Sequence, residues 1–378
     1  MGNQIKVNDV DTSIGSKLCS MCGLCMVDSW TPKEARKSCV FTLGWLGSQE
    51  EKLFGRERSL QDTDEMLFGI SQKRFVARMK KPLPIPRIQF TGIITSIARR
   101  AFESGLVEAV ATLKRSKEEH FFPVPILARS LEEINESGGS KPVLAQTLVS
   151  LEEAFRQRIQ RLLLIGAPCH VHNAREFQGR FPYLKDIDLY VVGIPCTDNV
   201  HPKNFRFILS KISSNHETVC HYEFMQDFTV HLRHFDGTLE RVPFFSLPQE
   251  ISSAELLTAC CRSCFDHENG LSDITVGYSG APLDTEKMYQ WVIVRTEKGE
   301  TLRKLIADEM ETYPETSEGD RKGFVAQYIQ GIRERMGQGK EGFKKSGRAM
   351  SIEDGLSFAE WLYSTGPKGL EFVRYGIE

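Results

Sequence analysis

Two stretches of this chain rhyme, and together they constrain the fold more than any other feature. Arg161-Leu-Leu-Leu-Ile165 runs into Gly166-Ala-Pro-Cys169, and Leu189-Tyr-Val-Val192 runs into Gly193-Ile-Pro-Cys196. Short apolar runs closed by Gly and Pro read as strands buried on both faces. The segment between them, near His172 to Gln178, reads as a helix. A strand–helix–strand unit in one sheet is right-handed with parallel strands. Both cysteines then fall at carboxyl ends of strands, the edge at which open α/β sheets bind ligands.

The elements on either side extend the pattern. Thr91 reads as the N-cap of a helix with apolar residues at 93, 94, 97, 98, 101 and 102, ended by Gly105. Val107 to Leu113 and Val124 to Leu127 read as strands, Ser130 caps a short helix, and Ser150 to Gln160 is helical. After a helix from Asn204 to Ser213 the texture becomes antiparallel: strands at 218–224, 229–235 and 239–245, with Asp236-Gly237 as a hairpin signal. Asp273 to Tyr278 and Gln290 to Arg295 are expected to close that sheet, and the chain from about Leu302 reads as polar helix with an amphipathic stretch near 356–373. Residues 46–80 read as a charged covering segment with one helix near Asp64 to Arg78. Three prolines in 82–86 mark a linker. The fold class is therefore α/β (α+β), in three parts: 1–84 with the N-terminal cysteines, 85–215 with the βαβ unit, and 216–378 with a mixed or antiparallel sheet and C-terminal helices.

Ten cysteines in 378 residues, in a chain whose first residues lack a secretory h-region, argue for metal or redox use rather than a disulfide framework. Cys19-Ser-Met-Cys22-Gly-Leu-Cys25, with Cys39 beyond a short helix begun by Thr31 and Pro32, wraps thiolates around one centre, as an iron–sulfur cluster requires. Zinc normally takes two separated knuckles, and this run has no partner knuckle nearby. Cys169, Cys196, Cys261 and Cys264 form a second, scattered set, against the alternative of buried structural thiols. Cys260 is a spare beside Cys261, and Cys220 reads as core. A net charge of −2 supplies no field for nucleic acid. No run of eighteen apolar residues occurs to span a membrane. The expected location is cytoplasmic.

The chain resembles the coenzyme F420 hydrogenase/dehydrogenase beta-subunit family, from Cys19 to about Phe372. The resemblance rests on Leu18-Cys-Ser-Met-Cys-Gly-Leu-Cys25, Phe90-Thr-Gly-Ile-Ile94, Pro195-Cys-Thr-Asp-Asn199, His221-Tyr-Glu-Phe-Met-Gln-Asp227, Val242-Pro-Phe-Phe-Ser246, Ser263-Cys-Phe-Asp266 and Gly366-Pro-Lys-Gly-Leu-Glu-Phe372. Within the family it is similar to the ferredoxin-dependent reductases of chlorophyll-pathway pigments. The resemblance implies FAD, two [4Fe-4S] clusters, reduced ferredoxin as donor and a chlorophyllide-type tetrapyrrole as substrate, met peripherally at photosynthetic membranes. It implies flavin contacts from Gln89, Thr91, Gly92, Ile93 and Thr95, from Ser140 and Lys141, and from Asn199, Phe224 and Gln226. Independently, Thr91-Gly92 at a helix N-terminus is a reasonable phosphate seat. Where relatives read Gly-Val-Gly-Cys-Gln-x-Gln-Ala-Leu-Arg, this chain reads Gly166-Ala-Pro-Cys-His-Val-His-Asn-Ala-Arg175. His170 and Asp227 are the candidate proton donors. Ferredoxins are acidic, and Lys73, Arg74, Arg78, Lys80 and Lys81 are the candidate docking charges. A homo-oligomer is among the expected assemblies.

Overall fold

The computed structural model describes residues 19–26, 39, 46–59, 61–117, 119–180, 182–196, 199–225, 229–243, 256, 258–262, 264, 266–278, 281 and 287–314. The strands among the described residues are β1 Lys73–Met79, β2 Ala109–Arg115, β3 Pro123–Ala128, β4 Arg161–Gly166, β5 Asp188–Gly193, β6 Val219–Phe224, β7 Thr229–His234, β8 Leu239–Pro243, β9 Ile274–Gly277, β10 Gln290–Val294 and β11 Met310–Pro314. The helices that matter for the site are α1 Leu46–Phe54, α2 Thr63–Phe68, α3 Ile93–Glu103, α4 Leu131–Glu136, α5 Val149–Arg156, α6 Pro168–Arg180, α7 Pro202–Ile212 and α8 Glu297–Lys304.

Eight strands form one sheet in the order β11-β1-β10-β9-β5-β4-β2-β3, and β6-β7-β8 form a second. The βαβ unit is present: β4 and β5 pair in parallel, with Gly166 directly opposite Gly193. The two Gly-x-Pro-Cys turns therefore leave the sheet side by side. β2 extends the parallel set on one side and β9 on the other. Alternation along β4 divides its side chains between the faces. Leu162 and Leu164 join a core with Leu148, Val171 and Phe177. Leu163 and Ile165 join a core with Ile93, Ile97, Ile134 and Leu302. α5 and α6 thus cover one face, and α3, α4 and α8 the other. The N-terminal cysteine loop sits on the α5/α6 side, with Cys22 and Leu24 in that core and the Leu148 N–H donating to the Cys22 carbonyl at 2.9 Å.

Tertiary pairing changed four local expectations. The helix near Asp64 stops at Phe68, and Lys73–Met79 is a strand. It pairs antiparallel with both β10 and β11, which no local pattern reveals. β9 and β10 do not close the small antiparallel sheet; they join the eight-stranded one, β9 parallel to β5 and β10 antiparallel to β9. The expected polar helix from Leu302 ends with α8, and Met310–Pro314 is an edge strand. α3 is capped by Gly92, at φ +92°, not by Thr91. The Thr91 hydroxyl instead accepts from the Met79 N–H at 2.9 Å and ties the loop to β1. The helix begun by Thr31 and the amphipathic stretch near 356–373 lie outside the described residues.

β1 also disposes of most of the expected docking charge. Lys73 pairs with Glu300, Arg74 with Asp64 and Arg78 with Glu311, while Lys80 donates to the Asp308 carbonyl. The run is mostly a paired, solvated face.

Candidate functional site

The carboxyl edge of the parallel strands collects chemistry from four places. β2 ends in Arg115, β4 leads to Cys169, β5 leads to Cys196, and β9 is followed by Tyr278. The cysteines and a polar cradle therefore share one edge.

Two thiol neighbourhoods meet on α6. No disulfide joins the ten cysteines among the described residues. Burial pushes the Cys22 thiol up to about 12, and the fields of Cys39, Cys25 and Cys19 push the same way. The N-terminal set is thus within electrostatic reach of one member. Pro168 starts α6 and puts Cys169 in its first turn. Burial raises the Cys169 thiol well above its ordinary value, followed by Cys264, Cys22 and Cys261. Cys169 therefore feels both sets. Cys260 is buried and contacts Cys261, and their hydrogen bond, more than burial, raises its thiol. Cys220 is a buried strand residue of β6. Cys196 is held by its own N–H on the His267 carbonyl, and its sulfur accepts from Asn199 Nδ2 at 3.3 Å. No three described His, Cys, Asp or Glu side chains converge closely enough to hold a metal ion, so these are neighbourhoods and not closed shells. The donor chemistry still fits an iron–sulfur group. Soft thiols dominate, and burial opposes their negative charge, so a bound cationic group would be the compensation.

One buried pair locks the second set. His172 Nε2 lies 2.7 Å from Asp266 Oδ2, and the same oxygen accepts from the Gly270 N–H at 2.7 Å. The Cys264 thiol donates to the Asp266 carbonyl. Burial raises the Asp266 pKa, but the His172 hydrogen bond and charge, with Arg58 and Arg295, outweigh it and hold the carboxyl below its usual range. The pair fastens the Cys169 helix to the Cys261/Cys264 turn. Removing one partner of such a pair strands the other, so Asp266→Ala should lower the unfolding free energy by about 3–5 kcal/mol in urea titration. Asp266→Asn, which can keep the Gly270 bond, should lose less.

The cradle lies around loops 85–92 and 137–141. Gln89 Nε2 reaches Ser140 Oγ at 3.4 Å, and the Gln89 side chain also bonds Tyr278. Arg115 donates to the Gly138 and Ser140 carbonyls. The Lys141 ammonium is enclosed by the Ser137 and Gly139 carbonyls at 2.6 and 2.9 Å. Burial lowers Lys141 well below the lysine range, aided by Arg115, and it lowers Arg115 to about 10, aided by Arg87. Neither cation makes an ion pair among the described residues, and Arg115 Nε has no partner. Only the longer-range fields of Cys220 and Glu223 support Arg115, so two adjacent desolvated cations with no carboxylate at ion-pair distance among the described residues offer the charge that an anion would compensate. The backbone is shaped for close approach. A Cβ on Gly139, at φ +84°, would lie 2.0 Å from the Arg87 carbonyl oxygen. Phe90 packs against Tyr278 with its ring tilted by 49° and 4.3 Å between centroids, and Tyr278 donates to Glu223, which also contacts His221 at 3.1 Å.

The expected flavin residues thus divide. Gln89, Ser140 and Lys141 meet in the cradle, Gly92, Ile93 and Thr95 begin the adjoining α3, and Thr91 is committed to β1. Asn199 is turned to the Cys196 sulfur. Phe224 ends β6 and packs on the small sheet's core. Gln226 and Asp227 lie outside the described residues. His170 is buried, its Nε2–H on the Ala145 carbonyl at 3.1 Å, and burial lowers its pKa to about 4. The ring is neutral and its proton engaged, so acid catalysis from His170 requires that bond to open. Arg115, Glu223 and Tyr278 were not foreseen. Tyr278 could have been, since it follows a strand at the ligand edge. Arg115 carries no local signal.

The family model described as "Coenzyme F420 hydrogenase/dehydrogenase, beta subunit N-term" matches residues 74–152, and its C-terminus counterpart matches 159–318. An uncharacterized protein of Nostoc sp. is 37% identical over 370 residues, spanning 96% of this chain and 85% of that one. The 7-hydroxymethyl chlorophyll a reductase of rice, Oryza sativa subsp. japonica, is 35% identical over 367 residues, spanning 95% of this chain and 75% of that one. A chain of the F420-reducing [NiFe] hydrogenase complex from Methanosarcina barkeri superposes with a TM-score of 0.62 at 20% identity, over 71% of this chain and 91% of that one, a likeness of fold. The chain belongs to the coenzyme F420 hydrogenase/dehydrogenase beta-subunit family of oxidoreductases.

Proposed function

We propose that the chain is an iron–sulfur flavoprotein reductase that takes electrons from reduced ferredoxin and delivers them to a chlorophyll-pathway tetrapyrrole. The 8-vinyl group of 3,8-divinyl chlorophyllide, reduced to ethyl, is the first substrate. The observation that carries this reading is the shared edge: two thiol neighbourhoods joined by α6 stand beside an anion cradle at the ends of the same parallel strands. When bound, two [4Fe-4S] clusters supply single-electron steps and FAD a two-electron hydride chemistry. Cys19, Cys22, Cys25 and Cys39 would hold one cluster, and Cys169, Cys196, Cys261 and Cys264 the other. Lys141 and Arg115 would neutralise the FAD pyrophosphate, and Gln89 and Ser140 would orient it. The Phe90–Tyr278 pair would exclude water from one side of the cradle. Reducing a vinyl group to ethyl consumes two electrons and two protons, and Asp227 and His170 are the candidate sources of the second proton.

A second reading is reduction of a 7-hydroxymethyl group, favoured by the rice relative's match along nearly the whole of this chain. It too takes two electrons and two protons, and releases water. The test is anaerobic turnover of the purified chain with reduced ferredoxin and each pigment in turn. Conversion of the divinyl pigment supports the first reading, and conversion of the hydroxymethyl pigment alone supports the second. Reduction of bound flavin without turnover of either would make the chain an electron-transfer subunit. No helix among the described residues is long and apolar enough to cross a membrane.

A further inference from the structure

Asn173 is fully buried, on the face of α6 that carries Cys169 one turn earlier. Its Nδ2 donates to Cys22 Sγ at 3.4 Å. A buried amide is costly unless its donors are used. A neutral thiol is a weak acceptor, whereas a sulfur carrying negative charge is a strong one. The donor is therefore placed where its bond would strengthen if the Cys22 sulfur carried negative charge as a ligand.

We propose that Asn173 is a positioning residue that raises the reduction potential of the N-terminal cluster through its N–H···S bond to Cys22. This rests on the reading of Cys22 as a cluster ligand. Reduction adds one negative charge, which spreads onto the ligand sulfurs. A donor aimed at one of them stabilises the reduced state more than the oxidised state, and hydrogen bonds to sulfur are among the levers that set such potentials. The placement also gives the bond a direction. The same helix begins at Cys169, whose thiol feels Cys22 as well as Cys261 and Cys264. A donor on α6 toward Cys22 therefore acts at the junction of the two sets. It favours reduction of the set that holds Cys22.

The experiment is an EPR-monitored redox titration of full-length, anaerobically purified chain, with iron and sulfide measured on the same samples. Wild type is compared with Asn173→Leu, which keeps the volume without the donor, and with Asn173→Ala, which removes it without adding bulk. The expected result is unchanged iron, one midpoint shifted to more negative potential and the other midpoint unmoved. Full iron with both midpoints unchanged in a folded variant overturns the inference and leaves the cluster reading standing. Loss of half the iron in both variants would make Asn173 an assembly residue and overturn the tuning role. Wild type without iron overturns the cluster reading, and this inference with it.

Discussion

Cys169→Ser should remove one whole cluster, taking iron from about eight to about four per chain and abolishing turnover. The expectation follows from position. Cys169 is delivered by β4 and the first turn of α6 into the field of Cys261 and Cys264. Serine offers a hard oxygen of high pKa where a soft thiolate is required. The control is Cys260→Ser. Cys260 is buried against Thr258 and beside Cys261, so its loss should leave the iron in place. Retention of all iron in Cys169→Ser would show that the scattered set is structural and that α6 carries no ligand.

Lys141→Met should act in opposite directions on fold and flavin. Without an anion, Lys141 is a desolvated cation whose partners are carbonyls of its own loop. Removing it should stabilise the flavin-free chain, since a buried unpaired charge is a cost. The same change removes a charge-assisted bond of about 1.5–3 kcal/mol, so FAD should bind about ten- to a hundredfold more weakly. The pH dependence follows in sign. Lys141 has a folded pKa well below 10.5, so between those values the unfolded chain holds more protons. Through this group, flavin-free stability therefore rises with pH across that window. Anion binding recharges the ammonium and takes up a proton, so FAD affinity should fall as pH rises. Lys141→Met should flatten both slopes. Calorimetry of FAD binding in buffers of different ionisation enthalpy reads the proton directly. No change in FAD content on Lys141→Met, with no proton uptake in wild type, would place the pyrophosphate elsewhere.

Some of this was legible in one dimension because the signal was local. The apolar runs before Gly166 and Gly193 read as buried strands, and connection rules sent Cys169 and Cys196 to one edge, as the paired glycines show. Ser130 capped its helix, and Asp236-Gly237 turned its hairpin, because each bonds within a few residues. Other features needed partners far away. Lys73–Met79 looked like the tail of a helix, since its strand character comes from β10 and β11 more than two hundred residues on. Thr91 looked like a cap until β1 took its hydroxyl.

By itself, the sequence determined the donor chemistry, ten cysteines with eight of them in two recognisable sets, and the parallel unit that turns two of them to one edge. Only the tertiary structure decided what surrounds them. It set Asn173 against Cys22, His172 against Asp266, and Arg115 beside Lys141. The physical reason is range. Backbone propensity and strand connection act over a few residues or one crossover. The desolvation and hydrogen bonds that tune a site act between groups that only the packed core makes neighbours.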